Sequence, residues 1–362
     1  MPGGGLPDRR GGGDDRTSRE SHFVRKVLIV TLIAVLMAVI WEVSLVLILT
    51  FGGVMLAVAL HSLSVPLQRY LKLPPQAALL AAIVIFCGAV FGLINLFGTL
   101  AGQQFSAFFH HLPEAWAAVQ DWLKSLPFGQ PILAALPNAT AGVQRLLEAL
   151  PLAGGLLGLL GEWVLVLAVG IYFAADPKTY VEGVLHLLPV SRRGRSREIM
   201  EAMGAALRQW LIGMSIDMVL LGVMVFFGMW AVGVPFPFAL AVLSGAAVFV
   251  PYIGPAIAVI PGMMLALSVS PHHALLAAAV YLVALTVEGN FTQPLLQRWV
   301  VAIPPVVNLL AILVFSPLFG IWGAVLATPL SVALWVLVKM AYVEDVLKDR
   351  PPIAPVPEHP PA

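Results

Sequence analysis

Charge is scarce in this sequence. Only 11% of its 362 residues are Asp, Glu, Lys or Arg, while 60% are hydrophobic. A soluble domain carries about 25% charged residues, so this chain lacks the charge to solvate a globular surface. Cysteine is nearly absent: Cys87 stands alone in an apolar run, which excludes an intramolecular disulfide and reads as a small core hydrophobe. No His-Glu-x-x-His or zinc-type spacing occurs. His110–His111 and His272–His273 are adjacent pairs whose side chains cannot share one helix face, so neither pair alone makes a metal site. Ser215 and Asp217, two apart on a helix, also face apart, and no nucleophile–base pair emerges. No metal, cofactor, enzymatic activity or nucleic-acid partner is expected.

What is present is long apolar sequence, with a mean hydropathy of +0.93. A helical span needs roughly 20 predominantly apolar residues. Residues 27–63 hold too many for one, and "WEVS" at 41–44 is their only polar interruption, so they read as two spans, 26–41 and 43–63. Further spans are read at 76–100, 153–175 and 212–233. The stretch 238–340 holds an intact segment near 273–287 and two proline-broken runs. The expected fold is an all-α, polytopic helical membrane protein of about eight transmembrane helices. Residues 1–24 read as a disordered cytoplasmic arm, 25–345 as the transmembrane domain and 346–362 as a proline-rich disordered tail. Within the domain, 103–152 forms an outer amphipathic insert and 176–211 a cytoplasmic basic loop and helix, helical from about Ser196.

Lysine and arginine in short loops set orientation. Arg25 and Lys26 precede the first span, Arg69 and Lys72 follow the second, and Lys178 with Arg192, Arg193, Arg195, Arg197 and Arg208 follows the fourth. All fall on one side if each span crosses once, which puts both termini in the cytoplasm. The basic cluster either fixes topology or also binds anionic membrane lipid. On the outer side, Pro113 reads as the first turn of a helix. Trp116, Val119, Leu123 and Leu126 share its apolar face, which suits the membrane interface or a packing surface.

The two broken runs repeat one order. "VFVPYIGPAIAVIP" (248–261) and "VFSPLFGIWGAVLATP" (314–329) each carry Val-Phe, then Pro-x-x-Gly, then a short apolar segment closed by proline. Candidate breakers are Pro251, Tyr252, Gly254, Pro255 and Pro261, then Pro317, Gly320, Gly323 and Pro329. A break exposes backbone groups that must be buried in protein or line a watery cavity, as in transporters with paired discontinuous helices. Periodicity does not separate kinked spans from re-entrant hairpins. Ionisable groups in spans are functional candidates by default. Glu42 and Glu162 fall near span ends. Asp217 lies within the fifth span, and Glu288, Gly289, Asn290 and Gln293 form the densest polar cluster; Asp217, Glu288, Asn290 and Gln293 are the candidate pathway residues.

Three stretches, "VPYIGPAIAVIP" (250–261), "VEGNFTQPLL" (287–296) and "PPVVNLLAILVFSPLFGIWGAVLATPL" (304–330), resemble in order and spacing the autoinducer-2 exporter family of bacterial membrane permeases. The resemblance runs over roughly 25–345. It implies a multi-span, homo-oligomeric inner-membrane protein that exports a small polar solute such as autoinducer-2. Other members are linked to sodium or proton exchange. Pro251, Tyr252, Gly254 and Pro255, then Glu288, Gly289, Asn290 and Pro294, then Gly320, Gly323 and Pro329 carry over by motif. Pro304 and Ser316–Pro317 depart from it. The function expected is an exporter working by alternating access; the alternative is a sodium or lithium/proton antiporter using Asp217 and Glu288, and the further alternative a membrane scaffold that transports nothing.

Overall fold

A computed structural model describes residues 41–96, 102–127, 155–251, 253–297 and 303–349, with a few scattered positions besides. The terminal arm and tail, the first expected span apart from its end, much of 128–154, and Tyr252 lie outside the described residues. Contacts divide the chain into two compact units between Ile48 and Leu49. In the first, the polar interruption falls where the helix breaks: Val43 is a turn, and a new helix starts at Ser44.

The described residues are almost wholly helical. In chain order the helices are α1 (Ser44–Leu71), α2 (Pro75–Leu96), α3 (Gly102–Ser125), α4 (Gly155–Ala175), α5 (Pro177–His186), α6 (Val190–Val232), α7 (Pro237–Ala247), α8 (Ile253–Val269) and α9 (Pro271–Val287). A five-residue π-turn (Glu288–Thr292), α10 (Gln293–Gln297), α11 (Pro305–Val338) and a second π segment (Lys339–Glu344) follow. Four helical runs are long and apolar enough to cross a membrane: Ser44–Leu71, Val190–Val232, Pro271–Leu295 and Pro305–Glu344. A fifth candidate, Gly161–Ala175 with Pro177–His186, is bent by 88°. Shorter apolar helices, α7 and α8 among them, complete a polytopic helical membrane protein.

The bend between α4 and α5 has a local cause. Pro177 has no N–H to continue the first helix but suits the first turn of a new one. Asp176 caps that turn, accepting from the Thr179 backbone N–H at 3.3 Å and from Thr179 Oγ1 at 2.5 Å. The hydroxyl bond, then the backbone bond, hold the exposed Asp176 carboxyl below the usual carboxylate range. After a short turn α6 begins at Val190, six residues ahead of the expected start, and runs unbroken through the basic segment into the apolar span. Arginine is a good helix former, and Arg193 caps the preceding turn by donating Nε–H to the Leu188 carbonyl at 3.2 Å. Gly233, left-handed at φ 83°, ends α6 and donates its N–H to Met229.

The long α6 is the hub: α7, α9 and α11 all pack on it. Its core-facing side chains (Trp210, Met214, Asp217, Leu221, Val225 and Met229) recur at helical spacing. Helix α3 packs against α8 and buries Phe108, Leu112 and Ala115. This helix starts at Gly102, so Pro113 lies inside it rather than in its first turn. Burial of Leu112 and Ala115 on either side of the proline keeps both halves on one packing face.

The two broken runs differ in where the break falls. In the first, α7 ends at Ala247, Pro251 lies in the connecting turn, and α8 resumes at Ile253. A side chain on Gly254 would collide with the Ala247 carbonyl oxygen seven residues back. In a straight helix those residues are about 10 Å apart, so the chain folds back as a helical hairpin. Phe249 in the turn stands edge-on to Trp210 of α6, ring centroids 5.3 Å apart. In the second run the turning residue is Gly320, at φ 61° and ψ −141°. A Cβ on Gly323 would strike the Phe315 carbonyl, eight residues back, so the bend is sharp. Pro317 is helical and three residues early; Pro261 and Pro329 also sit inside helices. These three prolines therefore do not mark the reversals, because proline keeps an α-compatible φ while only glycine readily adopts the backbone found at 320.

Candidate functional site

Three of the four candidate pathway residues meet. Asp217 projects from the core-facing stripe of α6 and is 1% exposed. Glu288 and Gln293, at the two ends of the π-turn, are half-buried. The Gln293 amide nitrogen donates to Asp217 Oδ2 at 3.0 Å and to Glu288 Oε1 at 3.0 Å. An amide NH2 has two hydrogens, and both are used. Asn290 is not part of this group: it is exposed, and its amide turns back to donate to the Thr286 carbonyl at 2.9 Å.

The π-turn is what makes the meeting geometric. Residues five apart on an α-helix are separated by about 140° around the axis. At roughly 4.4 residues per turn the separation falls to about 50°, and Glu288 and Gln293 then share a face. The Gln293 N–H bonds the Glu288 carbonyl, the i to i−5 bond of a π-turn. Local sequence favours it. Gly289 weakens the α-helix, and Pro294 would crowd the carbonyl of Asn290 in a regular one.

Charge is unbalanced here. Among the described residues neither Asp217 nor Glu288 has a basic ion-pair partner. Asp217 Oδ1 is buried with no hydrogen-bond partner. A carboxylate inside an apolar bundle is costly unless paired, so the oxygens left over form a site that accepts and does not donate.

Other polar contacts escape any sequence pattern. Trp322, between the two glycines of the second bend, donates Nε1–H to Glu162 Oε2 at 2.5 Å and stands edge-on to Trp163. Glu162 is thereby an anchor for that bend, and no local motif marks it. Asn308 and Thr328 on α11 are also buried, each with an unpartnered oxygen. At the basic end of α6, Arg195 bonds both Asp345 oxygens at 3.1 Å, Glu344 at 2.7 Å and Glu198 at 3.0 Å.

Comparison with known proteins gives the family. The profile of the AI-2E family transporter matches residues 29–342. The chain belongs to the AI-2E transporter family. "Putative transport protein YueF" of Bacillus subtilis (strain 168) is 22% identical to this AI-2E protein over 328 residues, covering 84% of this chain and 87% of YueF. YrrI of the same organism, also named "Putative transport protein", is 29% identical over 166 residues, 46% of this chain and 47% of YrrI. "Putative permease PerM" of Escherichia coli (strain K12) is 25% identical over 179 residues, 49% of this chain and 50% of PerM. The chain thus matches about half the length of YrrI and PerM and most of YueF. Its family is one of transporters, and its helices are those of a multi-pass membrane protein.

Proposed function

We propose that this AI-2E family transporter exports a small polar solute such as autoinducer-2 across the bacterial inner membrane by alternating access. The observation that carries the reading is the Asp217–Gln293–Glu288 group: two carboxylates bridged by one amide, between an unbroken span and a π-turn. Such a group offers a place where occupancy by a cation or proton alters helix packing. The hairpin turn at 248–251 and the bend at Gly320 supply the mobile elements, because broken helices can rearrange without losing a full ladder of hydrogen bonds.

A second reading, sodium or lithium/proton antiport, draws on the same pair of acids. It needs no organic solute and makes the two ions compete for Asp217 and Glu288. Proteoliposomes separate the two. With autoinducer-2 inside and a proton or sodium gradient imposed, the exporter reading expects solute efflux that Glu288→Gln abolishes while the melting temperature is kept. Efflux unchanged by that substitution sinks the assignment of Glu288. Cation flux without any effect of solute establishes antiport instead.

A further inference from the structure

We propose that the Gln293 amide is a built-in stand-in for a monovalent cation: it holds the space between Asp217 and Glu288 until the ion displaces it, and the π-turn lets it leave. This rests on the transport reading and specifies how its acidic site is regulated.

The valences support it. Both carboxylates accept, so only the NH2 edge of Gln293 can serve the two together, at 3.0 Å each. That places a donor midway between two anionic oxygens, where a small cation would also sit. Asp217 Oδ1 remains buried and unpartnered, although the residue is only 1% exposed. The amide therefore answers part of the site's acceptor capacity and none of its charge. A bare monovalent cation answers both. Among the described residues no third His, Cys, Asp or Glu joins the pair, which disfavours a transition-metal site.

The π-turn supplies the movement. Its extra residue keeps Gln293 on the face of Glu288 through the i to i−5 bond. Rewound into an α-helix, the same residues would swing Gln293 about 140° from Glu288, and the amide would leave both carboxylates. Pro294 opposes rewinding, since its ring would crowd the Asn290 carbonyl in a regular helix, and cation binding has to offset that cost. Gly289 is open to space, and the Asn290 amide braces only the Thr286 carbonyl.

Equilibrium binding of radioactive sodium to the purified full chain in detergent, at mildly alkaline pH, tests this. Gln293→Leu removes the competitor and should tighten binding roughly tenfold, the equivalent of one hydrogen bond to a charged group. Gln293→Asn, too short to span both oxygens, should shift it the same way. Deleting Gly289 places Glu288 and Gln293 four apart, where an ordinary helix holds them together; the amide can then no longer withdraw, and binding should weaken about tenfold. Asp217→Asn should abolish it. Binding weakened by Gln293→Leu would make Gln293 a ligand and overturn the stand-in role. So would no sodium binding in any variant, binding that survives Asp217→Asn, or a Gly289 deletion with no effect. Solute flux is measured apart, so failed export alongside tightened binding would refute only the transport reading.

Discussion

A single methyl group probes each turning point of the broken runs. At Gly254 the added carbon of Gly254→Ala would overlap the Ala247 carbonyl oxygen, which is backbone and cannot rotate away. At Gly320 nothing lies within 4 Å of the new carbon, but φ is 61°. The first cost is steric, about 1–3 kcal/mol; the second is conformational and also about 1–3 kcal/mol. Gly289→Ala, with open space and a helical backbone, is the control. Thermal unfolding in detergent should show lower melting temperatures for the first two and none for the third. Equal losses at all three would mean that the glycines matter for helix propensity rather than for the bends. Residue identity was the most legible level of the sequence. Asp217, Glu288 and Gln293 stand out as polar groups in apolar runs, and the glycines of both motifs fall at the reversals. What one-dimensional spacing hides is which group meets which. Gln293 is five residues from Glu288, a separation that places them apart on the helix one assumes, and Asn290 looks equally eligible until its amide is seen on its own backbone.

Elements were legible where apolar length and punctuation agree, and less so where two rules compete. "SRRGRSRE" resembles a charged loop, yet α6 begins before it, since arginine tolerates a helix and the span beyond supplies packing. Pro317 is the stronger breaker by propensity, but the chain turns at Gly320 because the bend requires a positive φ. The far end of α11 carries a further dependence. Arg195, near the start of α6, gathers Glu198, Glu344 and Asp345 and lies 3.5 Å from the Met340 carbonyl. A forked guanidinium can serve these partners together; an ammonium is a point charge and cannot. Arg195→Ala should therefore free the segment after Val338, and limited trypsin digestion should cut faster at Lys339 and Lys348. Arg195→Lys should restore little protection. High salt should speed cleavage of the native protein, because Arg195 is 35% exposed and its bonds are partly screened. Unchanged digestion of Arg195→Ala would show that packing alone holds this end.

At the scale of the molecule, sidedness decides which end of the Asp217–Glu288 site opens to which compartment. The basic residues at the start of α6 and the ring of acids around Arg195 belong to one end of the bundle, since α6 and the end of α11 meet there. At the other end of α6, Phe236 bridges to α3, where Phe108 and His111 pack against its ring. A 43-residue helix separates the two ends by about 60 Å, ample for a bilayer of about 40–45 Å with its headgroups. If retained positive charge sets topology, the Arg195 end is cytoplasmic and the Phe236 end external. Cys87 is the one native thiol and is exposed, so Cys87→Ser gives a clean background for labelling. In intact cells, Ser125→Cys at the end of α3 should then react with a membrane-impermeant maleimide. Ser196→Cys beside Arg195 should react only after the membrane is opened. The reversed pattern would invert the protein, with the Arg195 end outside, and leave the site geometry intact.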